Sequence, residues 1–507
     1  MAQISVQNLT FYHTGSTEPV FENASFSLDT AWRLGLIGRN GKGKTTLLRL
    51  FSENLPHQGT ITLPVPAAYF PYPVTPAQML LPAAEFAEEL RTGCESWRII
   101  CELTQLDEDA EILYRPFCTL SAGQRTKVLL AILFAGENDF LLIDEPTNHL
   151  DQNARDAVRR YLEGKQGFIL VSHDRDLLDA CTDHILVLNR RTIAVQTGNF
   201  TSWWENKQRS DHFAEAENEK HRKEIRKLRQ AAKRTADWAD KNERTKIGFD
   251  PVKEHDRCIS SRSFIGAKTK KMQSRVKQME TRIEREISEQ EGLLQDIETT
   301  AALRLTPLTH HKQTLLHIRE CDLQYAGAEK PVLHGLTFDL QQGDRLALHG
   351  SNGCGKSTLM RKILAQAGGL PADDIRADGI FETASGLRIS YVPQETAHLS
   401  GSIPDFCAAH GLDRSLFCAL LRQLDLSRAQ LAGDLASYSA GQKKKVLLAA
   451  SLLTPAHLYI WDEPLNFIDI FSRMQLEAVL TEYQPTMLFA EHDVRFREHI
   501  ATASVML

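Results

Sequence analysis

Two stretches of this 507-residue chain repeat a pattern that few folds can accommodate. Leu34–Leu48 reads LGLIGRNGKGKTTLL, and Leu346–Met360 reads LALHGSNGCGKSTLM. Each holds G-x-x-x-x-G-K-[ST], from Gly38 to Thr45 and from Gly350 to Ser357, between a strand-like apolar run and a helix-like run. Glycines in such a turn let backbone N–H groups approach phosphate oxygens. The first copy offers Gly38, Asn40, Gly41, Gly43, Lys44, Thr45 and Thr46 as nucleotide-binding candidates. The second offers Gly350, Asn352, Gly353, Gly355, Lys356, Ser357 and Thr358. Lys44 and Lys356 are expected to reach β- and γ-phosphates, and Thr45 and Ser357 to ligate Mg²⁺.

Each copy is followed by the same parts in the same order, which makes the chain an internal duplication. LSAGQ (Leu120–Gln124) precedes FLLIDEP (Phe140–Pro146) and LVSHD (Leu170–Asp174). YSAGQ (Tyr438–Gln442) precedes LYIWDEP (Leu458–Pro464) and LFAEHD (Leu488–Asp493). Asp144 and Asp462 end apolar strands and suit Mg²⁺ or its water. Glu145 and Glu463 stand where a carboxylate can orient an attacking water, and His173 and His492 where an imidazole can meet a γ-phosphate. Phosphoryl transfer asks mainly for positioning and charge neutralisation. Ser121, Gly123 and Gln124, with Ser439, Gly441 and Gln442, open helices whose N-terminal amides suit an anion.

This order resembles the ATP-binding cassette family over nearly all of residues 1–200 and 310–507. The resemblance implies two P-loop α/β cassettes that bind two ATP between them, head to tail, within one chain acting as a monomer. Site one would join Gly38–Thr45, Asp144, Glu145 and His173 to Ser439–Gln442. Site two would join Gly350–Ser357, Asp462, Glu463 and His492 to Ser121–Gln124. Tyr12 and Tyr325 fall near the family's adenine-stacking aromatic. Gln394, in ISYVPQE, stands at the family's Mg²⁺-and-water Gln. The first half reads AYFPYP, with Tyr72 in that place. A phenol is a poor Mg²⁺ ligand, so unequal turnover at the two sites is expected.

Composition narrows the class. The N-terminus lacks a basic and then apolar leader. No apolar run approaches the roughly 20 residues of a membrane helix. The nine cysteines, never in C-x-x-C pairs, read as free thiols of a cytoplasmic protein. The formal charge is -6, yet residues 207–285 hold 23 Lys/Arg and 13 Asp/Glu, a net of +10 that leaves -16 elsewhere. The spacing there predicts an antiparallel α-helical coiled-coil hairpin over 201–305 between cassettes at 1–200 and 306–507. The first arm has a seam through Phe213, Ile225, Leu228 and Ala232. The second has one through Met272, Val276, Met279, Ile283, Ile287, Leu294 and Ile297. Gly248, Asp250-Pro251 and Gly266 break the helices around a tip near 246–264. Basic arms suit RNA phosphates, and an apolar tip suits a pocket or an unstacked base. Lys246, Phe249, Arg257 and Phe264 are the tip candidates. Trp203, Trp204 and Trp238 read as packing residues. His212, His221, His310 and His311 read as solvated, and Lys443–Lys445 as a solvated helix face.

DEPTNHLD, two cassettes and a basic hairpin together resemble the ABC-F family of ribosome-associated ATPases. The resemblance implies binding to rRNA and P-site tRNA at the ribosomal tRNA exit site, with the hairpin directed to the peptidyl-transferase centre. WDEPLNFID and YFPYP, and spacing that leaves no room for an extra arm after Tyr72, resemble the antibiotic-resistance branch. That branch counteracts lincosamides, pleuromutilins and streptogramin A compounds. A housekeeping factor that rescues stalled ribosomes remains an alternative, as does the tandem ATPase of an importer.

Overall fold

The computed structural model describes residues 2–13, 19–53, 55–136, 139–148, 150–188, 193–244, 277, 282, 303–328, 330–351, 353–369 and 374–507. They divide into two compact units, Met1–Trp203 with Thr300–Leu507, and Trp204–Thr299. Both cassettes lie in the first unit.

Each cassette is layered around a mostly parallel sheet. In the first, strand order is Ala67–Phe70, Phe140–Asp144, Phe168–Val171, Arg33–Gly38, His184–Leu188 and Ile193–Thr197. Only the last pairs antiparallel. In the second it is Ile389–Val392, Leu458–Asp462, Met487–Ala490, Arg345–His349 and Ala503–Met506, all parallel. Parallel strands are covered on both faces, which explains why FILV and MLFA are buried at every residue. Each cassette adds a three-stranded antiparallel sheet, from Gln3–Phe11, Phe21–Asp29 and Gln58–Thr62, or from Thr314–Tyr325, Leu333–Gln341 and Ile375–Thr383. The motif loops therefore follow the carboxyl ends of central strands, where open α/β sheets place their ligands.

The expected linker boundary at 305 shifts, because Leu303 and Leu305 are buried in the apolar core of the second cassette. In the linker unit the described structure is mainly one helix, Phe200–Arg244, whose 45 residues span about 67 Å. Of the expected seam, Ile225 and Leu228 lie on its inward face and Phe213 does not. Phe213 is 64% exposed, whereas Ala214, Asn218 and Ile225 are buried and His221 and Leu228 half-buried. Steps of four, three, four and three are the heptad rhythm of a coiled coil. A seam through the phenylalanine is therefore one residue out of register. The side chains of Ala232 and Trp238, the second arm's seam and the tip residues Lys246, Phe249, Arg257 and Phe264 lie outside what is described. No helix among the described residues is long and apolar enough to cross a membrane. The eight cysteines among them are free thiols.

Candidate functional site

The phosphate loops are shaped by backbone geometry that only glycine adopts easily. Gly43 and Gly355 cap the helices Lys44–Ser52 and Lys356–Gln366 at φ 90° and 103°. A Cβ on Gly43 would sit 2.6 Å from Val20, and one on Gly355 2.8 Å from Val332. Gly41 and Gly353 also have positive φ, but their Cβ positions face open space, leaving a cradle wide enough for phosphate oxygens. The ammonium of Lys44 donates to Gly38 O at 2.7 Å and to Asn40 Oδ1 at 3.3 Å. Lys356 donates to the carbonyls of Gly350 and Ser351, both at 2.9 Å. Thr46 and Thr358 follow on the same helices. Asn352 lies outside the described residues.

The residues expected to hold Mg²⁺ converge in both cassettes. Thr45 donates to Asp144 Oδ2 at 2.8 Å, and Ser357 stands near enough to Asp462 to favour its charged form. Asp462 Oδ2 is buried with no hydrogen-bond partner, as suits an oxygen that awaits a cation. Burial raises the Asp462 pKa above the usual carboxylate range, with Ser357 opposing.

Glu145 and Glu463 both adopt left-handed backbone, φ 52° and 44°. Their N–H groups bond across to Val171 and Ala490, which holds the turn. His173 Nε2 lies 3.3 Å from Glu145, and His492 Nε2 3.5 Å from Glu463. The electrostatics then diverge. Burial, and next the charge of Asp144, raise the Glu145 pKa well above the ordinary range. Burial, Lys44 and Arg473 push the His173 imidazole well below its ordinary value. For Glu463, burial is the largest influence and acts upward. His492, Gln394 and Lys356 outweigh it and hold the carboxyl at about 2. Gln394 donates to Glu463 Oε2 at 2.8 Å and Asn466 at 2.7 Å.

Strand register puts Tyr72 at the place of Gln394, since Phe70 pairs with Ile143 as Val392 does with Trp461. Its phenol is buried beside Arg91 and Cys94, and burial pushes its pKa up to about 12. Register also corrects the aromatic expectation. Phe11 opposes Phe21 as Leu323 opposes Leu333, so His13, not Tyr12, matches Tyr325. Tyr325 lines the site-two cavity, and its hydroxyl bonds to Thr358 at 2.9 Å. Tyr12 is exposed beyond its strand.

The signatures meet the opposite phosphate loops unequally. Both open with capping boxes, Ser121 with Gln124 and Ser439 with Gln442. At site one a single cavity of about 450 Å³ is lined by Asn40, Gly41, Glu145 and His173 together with Ser439, Gly441 and Gln442. At site two a cavity of about 560 Å³ joins Lys356, Ser357, Gln394, Glu463 and His492 to Ala122, Leu150 and Arg155. There Ser121, Gly123 and Gln124 instead line a neighbouring space formed by the first cassette alone, so the expected pairing at site two is only partly assembled.

Cross-cassette contacts follow the same asymmetry. Arg39 pairs with Asp425, and Asn40 donates to Phe467 O at 3.0 Å. Arg175 makes a two-pronged, buried pair with Glu477, its side chains 7% and 9% exposed. At the corresponding positions of the other side stand Ser351, Asp107, Val494 and Arg159. Asp107 pairs within its own cassette with Arg160, and Arg159 with Asp156. Arg495 adds a bridge to Asp176 and Asp179, the latter at 2.6 Å.

The altered residues of WDEPLNFID have physical reasons. Leu465 is fully buried in the second cassette's core. Phe467 holds φ 62°, which aims its carbonyl at Asn40 and packs it against Gly441, where a Cβ would lie 2.5 Å away. Lys444 and Lys445 are not a solvated face; they are 1% and 3% exposed. Lys445 bonds to Asp469 and Leu424 O, each at 2.7 Å. The apolar run VLLAASLL that follows marks the helix as a buried one, but it does not tell which of the three lysines turn inward. His310 also departs from the solvated reading, with ring contacts to Ser385 O and the Lys312 amide, both at 3.1 Å.

Residues 21–148 and 333–466, more than half of the chain, match the model of the ABC transporter family. Ribosome protection protein VmlR of Bacillus subtilis (strain 168) is 28% identical over 495 residues, covering 97% of this chain and 84% of that protein. Erythromycin resistance ATP-binding protein MsrA of Staphylococcus epidermidis is 27% identical over 491 residues, covering 92% and 90%. Among solved structures, the complex of archaeal ribosomal stalk protein aP1 and archaeal ribosome recycling factor aABCE1 aligns with TM-score 0.58 at 17% identity. It covers 99% of this chain and 87% of that one, a likeness of fold alone. The chain thus belongs to the ABC transporter family, as a tandem-cassette ATPase that resembles the ABC-F resistance proteins.

Proposed function

We propose that this chain is a cytoplasmic, ribosome-associated ATPase that protects the ribosome from antibiotics acting at the peptidyl-transferase centre. The observation that carries the reading is likeness to a ribosome protection protein along 97% of the chain, joined to two cassette sites in one compact unit. Binding at the tRNA exit site, beside P-site tRNA and rRNA, is part of the same proposal, and the +10 of residues 207–285 supports a polyanionic partner. Lincosamides, pleuromutilins and streptogramin A compounds are the proposed drug classes.

In this reading each site takes one ATP with Mg²⁺, and the cassettes close on it. Lys44 and Lys356 turn from their loop carbonyls to the phosphates, and the loop amides complete the cradle. Thr45 and Asp144 would hold the metal at site one, and Ser357, Asp462 and Gln394 at site two. The metal, when bound, neutralises charge on the phosphates. Glu145 and Glu463 accept a proton from, and orient, the attacking water. His173 and His492 donate to the γ-phosphate. The opposite signatures, Ser121 to Gln124 and Ser439 to Gln442, present their helix N-termini to the same group.

The double substitution Glu145→Gln with Glu463→Gln tests this. It should abolish hydrolysis, keep ATP binding, and make the protein co-sediment with 70S ribosomes when ATP is present. Cells carrying the wild-type gene should tolerate the three drug classes better than cells without it. Co-sedimentation without any gain in tolerance would instead support a housekeeping rescue factor, and no ribosome association would sink both readings.

A further inference from the structure

We propose that Lys444 is a positioning residue for site two, tying the loop that carries Gln394 to the strand end that carries Asp462. The inference rests on reading Gln394 and Asp462 as metal-site residues. Lys444 sits on the helix Ala440–Leu453, directly after the signature, and is 1% exposed. An ammonium has three N–H donors and no acceptor. Here they meet three carbonyls: Pro393 O at 2.8 Å, Asp462 O at 3.1 Å and Gln394 O at 3.4 Å.

Those carbonyls lie where the sheet can no longer hold its strands together. Ile389–Val392 and Leu458–Asp462 are adjacent and parallel, and their register ends at Val392 opposite Trp461. Beyond it Pro393 has no N–H to offer. Lys444 spans the gap from below and bonds both strand extensions. With its backbone so held, Gln394 extends its amide to Glu463 at 2.8 Å.

The first cassette supplies the contrast. Thr126 occupies the equivalent helix position, and its hydroxyl bonds back to Ala122 O of its own helix at 3.1 Å. A threonine is too short to tie Pro71 and Tyr72 to a neighbouring strand as Lys444 ties Pro393 and Gln394, and Tyr72 turns into the cassette beside Arg91. A lysine used only as core filler would be a poor choice. Burial drives its pKa down to about 8 against the opposing charges of Asp462, Glu491 and Glu463. A methionine would fill similar volume without that cost.

The test is a double-substitution cycle on the full chain, read by Mn²⁺ binding through electron paramagnetic resonance with a non-hydrolysable ATP analogue. Gln394→Ala should weaken Mn²⁺ at one of the two sites by about tenfold, the scale at which groups that orient metal ligands act. Lys444→Met should weaken the same site comparably, and the pair together should be no worse than Gln394→Ala alone. Lys444→Gln, which keeps two N–H donors, should recover part of the loss. All four variants should keep the native melting transition. A folded Lys444→Met protein with both Mn²⁺ affinities unchanged, or losses that simply add, would overturn the role of Lys444. Loss of the native melting transition in both Lys444 variants would overturn it too, since the lysine would then hold the fold rather than the site. Unchanged binding in Gln394→Ala would instead overturn the reading of Gln394 on which the proposal rests.

Discussion

At site one the second cassette reaches across with Phe467 O, Asp425 and Glu477, and its signature shares one cavity with Asn40 and Glu145. At site two the first cassette contributes Ala122, Leu150 and Arg155, while Ser121 and Gln124 open elsewhere. Yet the carboxylates and imidazoles are matched pair for pair. Site one is clasped but has a carboxyl biased toward its neutral form. Site two is looser, but Gln394, His492 and Lys356 keep Glu463 ionised. Duplication therefore preserved the groups that do chemistry and let the groups that position them diverge, because closure and protonation are set by second neighbours.

The largest expected effect breaks the comparison at its chemical core. A water-orienting carboxylate is worth about 10²–10⁴-fold in rate, and single substitutions should divide that loss unequally. At neutral pH, Glu463→Gln should cost more turnover than Glu145→Gln. The remaining activity of Glu463→Gln depends on Glu145, whose raised pKa keeps it protonated at low pH, so that activity should climb as pH rises. Glu145→Gln should be flat through neutrality, because Glu463 is already ionised. Steady-state ATPase profiles check this, and identical profiles would erase the electrostatic difference.

The clasp comes next. Arg175→Met leaves Glu477 buried and unpaired, which typically costs about 3–5 kcal/mol. It should lower the melting temperature and speed release of a fluorescent ATP analogue from one site. Val494→Ala, at the matching position, should do neither to a similar degree. Adding Glu477→Leu to Arg175→Met should recover much of the loss; absence of recovery would show that the pair is not an isolated clasp.

A smaller effect sharpens the metal side. Gln394→Ala should lower turnover by about tenfold. Tyr72→Phe should change it less than about twofold, since it removes only a hydroxyl that plays no part at the site. Equal effects in an ATPase assay would place Tyr72 in the reaction after all.

Much of the candidate site is legible in the amino-acid sequence because it is local. A Gly-Lys-Thr turn between a strand and a helix dictates its own backbone, so spacing alone names Gly43, Lys44 and Thr45, as it names Asp144 and Glu145 at the end of FLLID. The long basic helix is legible from composition, and its seam in part, through Ile225 and Leu228. Phe213 is the more apolar residue, yet heptad geometry buries Ala214 and Asn218. A one-residue choice also separates Tyr12 from His13, because only the pairing of Phe11 with Phe21 sets that register.

The sequence by itself determined that this chain holds two ATP-binding cassettes, each with an Asp, a Glu and a His placed after the phosphate loop, and a strongly basic insert between them. Those features depend on residues a few positions apart, whose backbone preferences act within a single turn. Tyr72 against Gln394 already marks the two sites as unequal in the sequence; only the tertiary structure decided how unequally the cassettes clasp around them. Arg39 meets Asp425 across 386 positions and Arg175 meets Glu477 across 302. Lys444 turns inward under Pro393 rather than outward to water. No local pattern specifies such pairs, because each depends on where two separately folded surfaces come to rest and on how much water their meeting excludes.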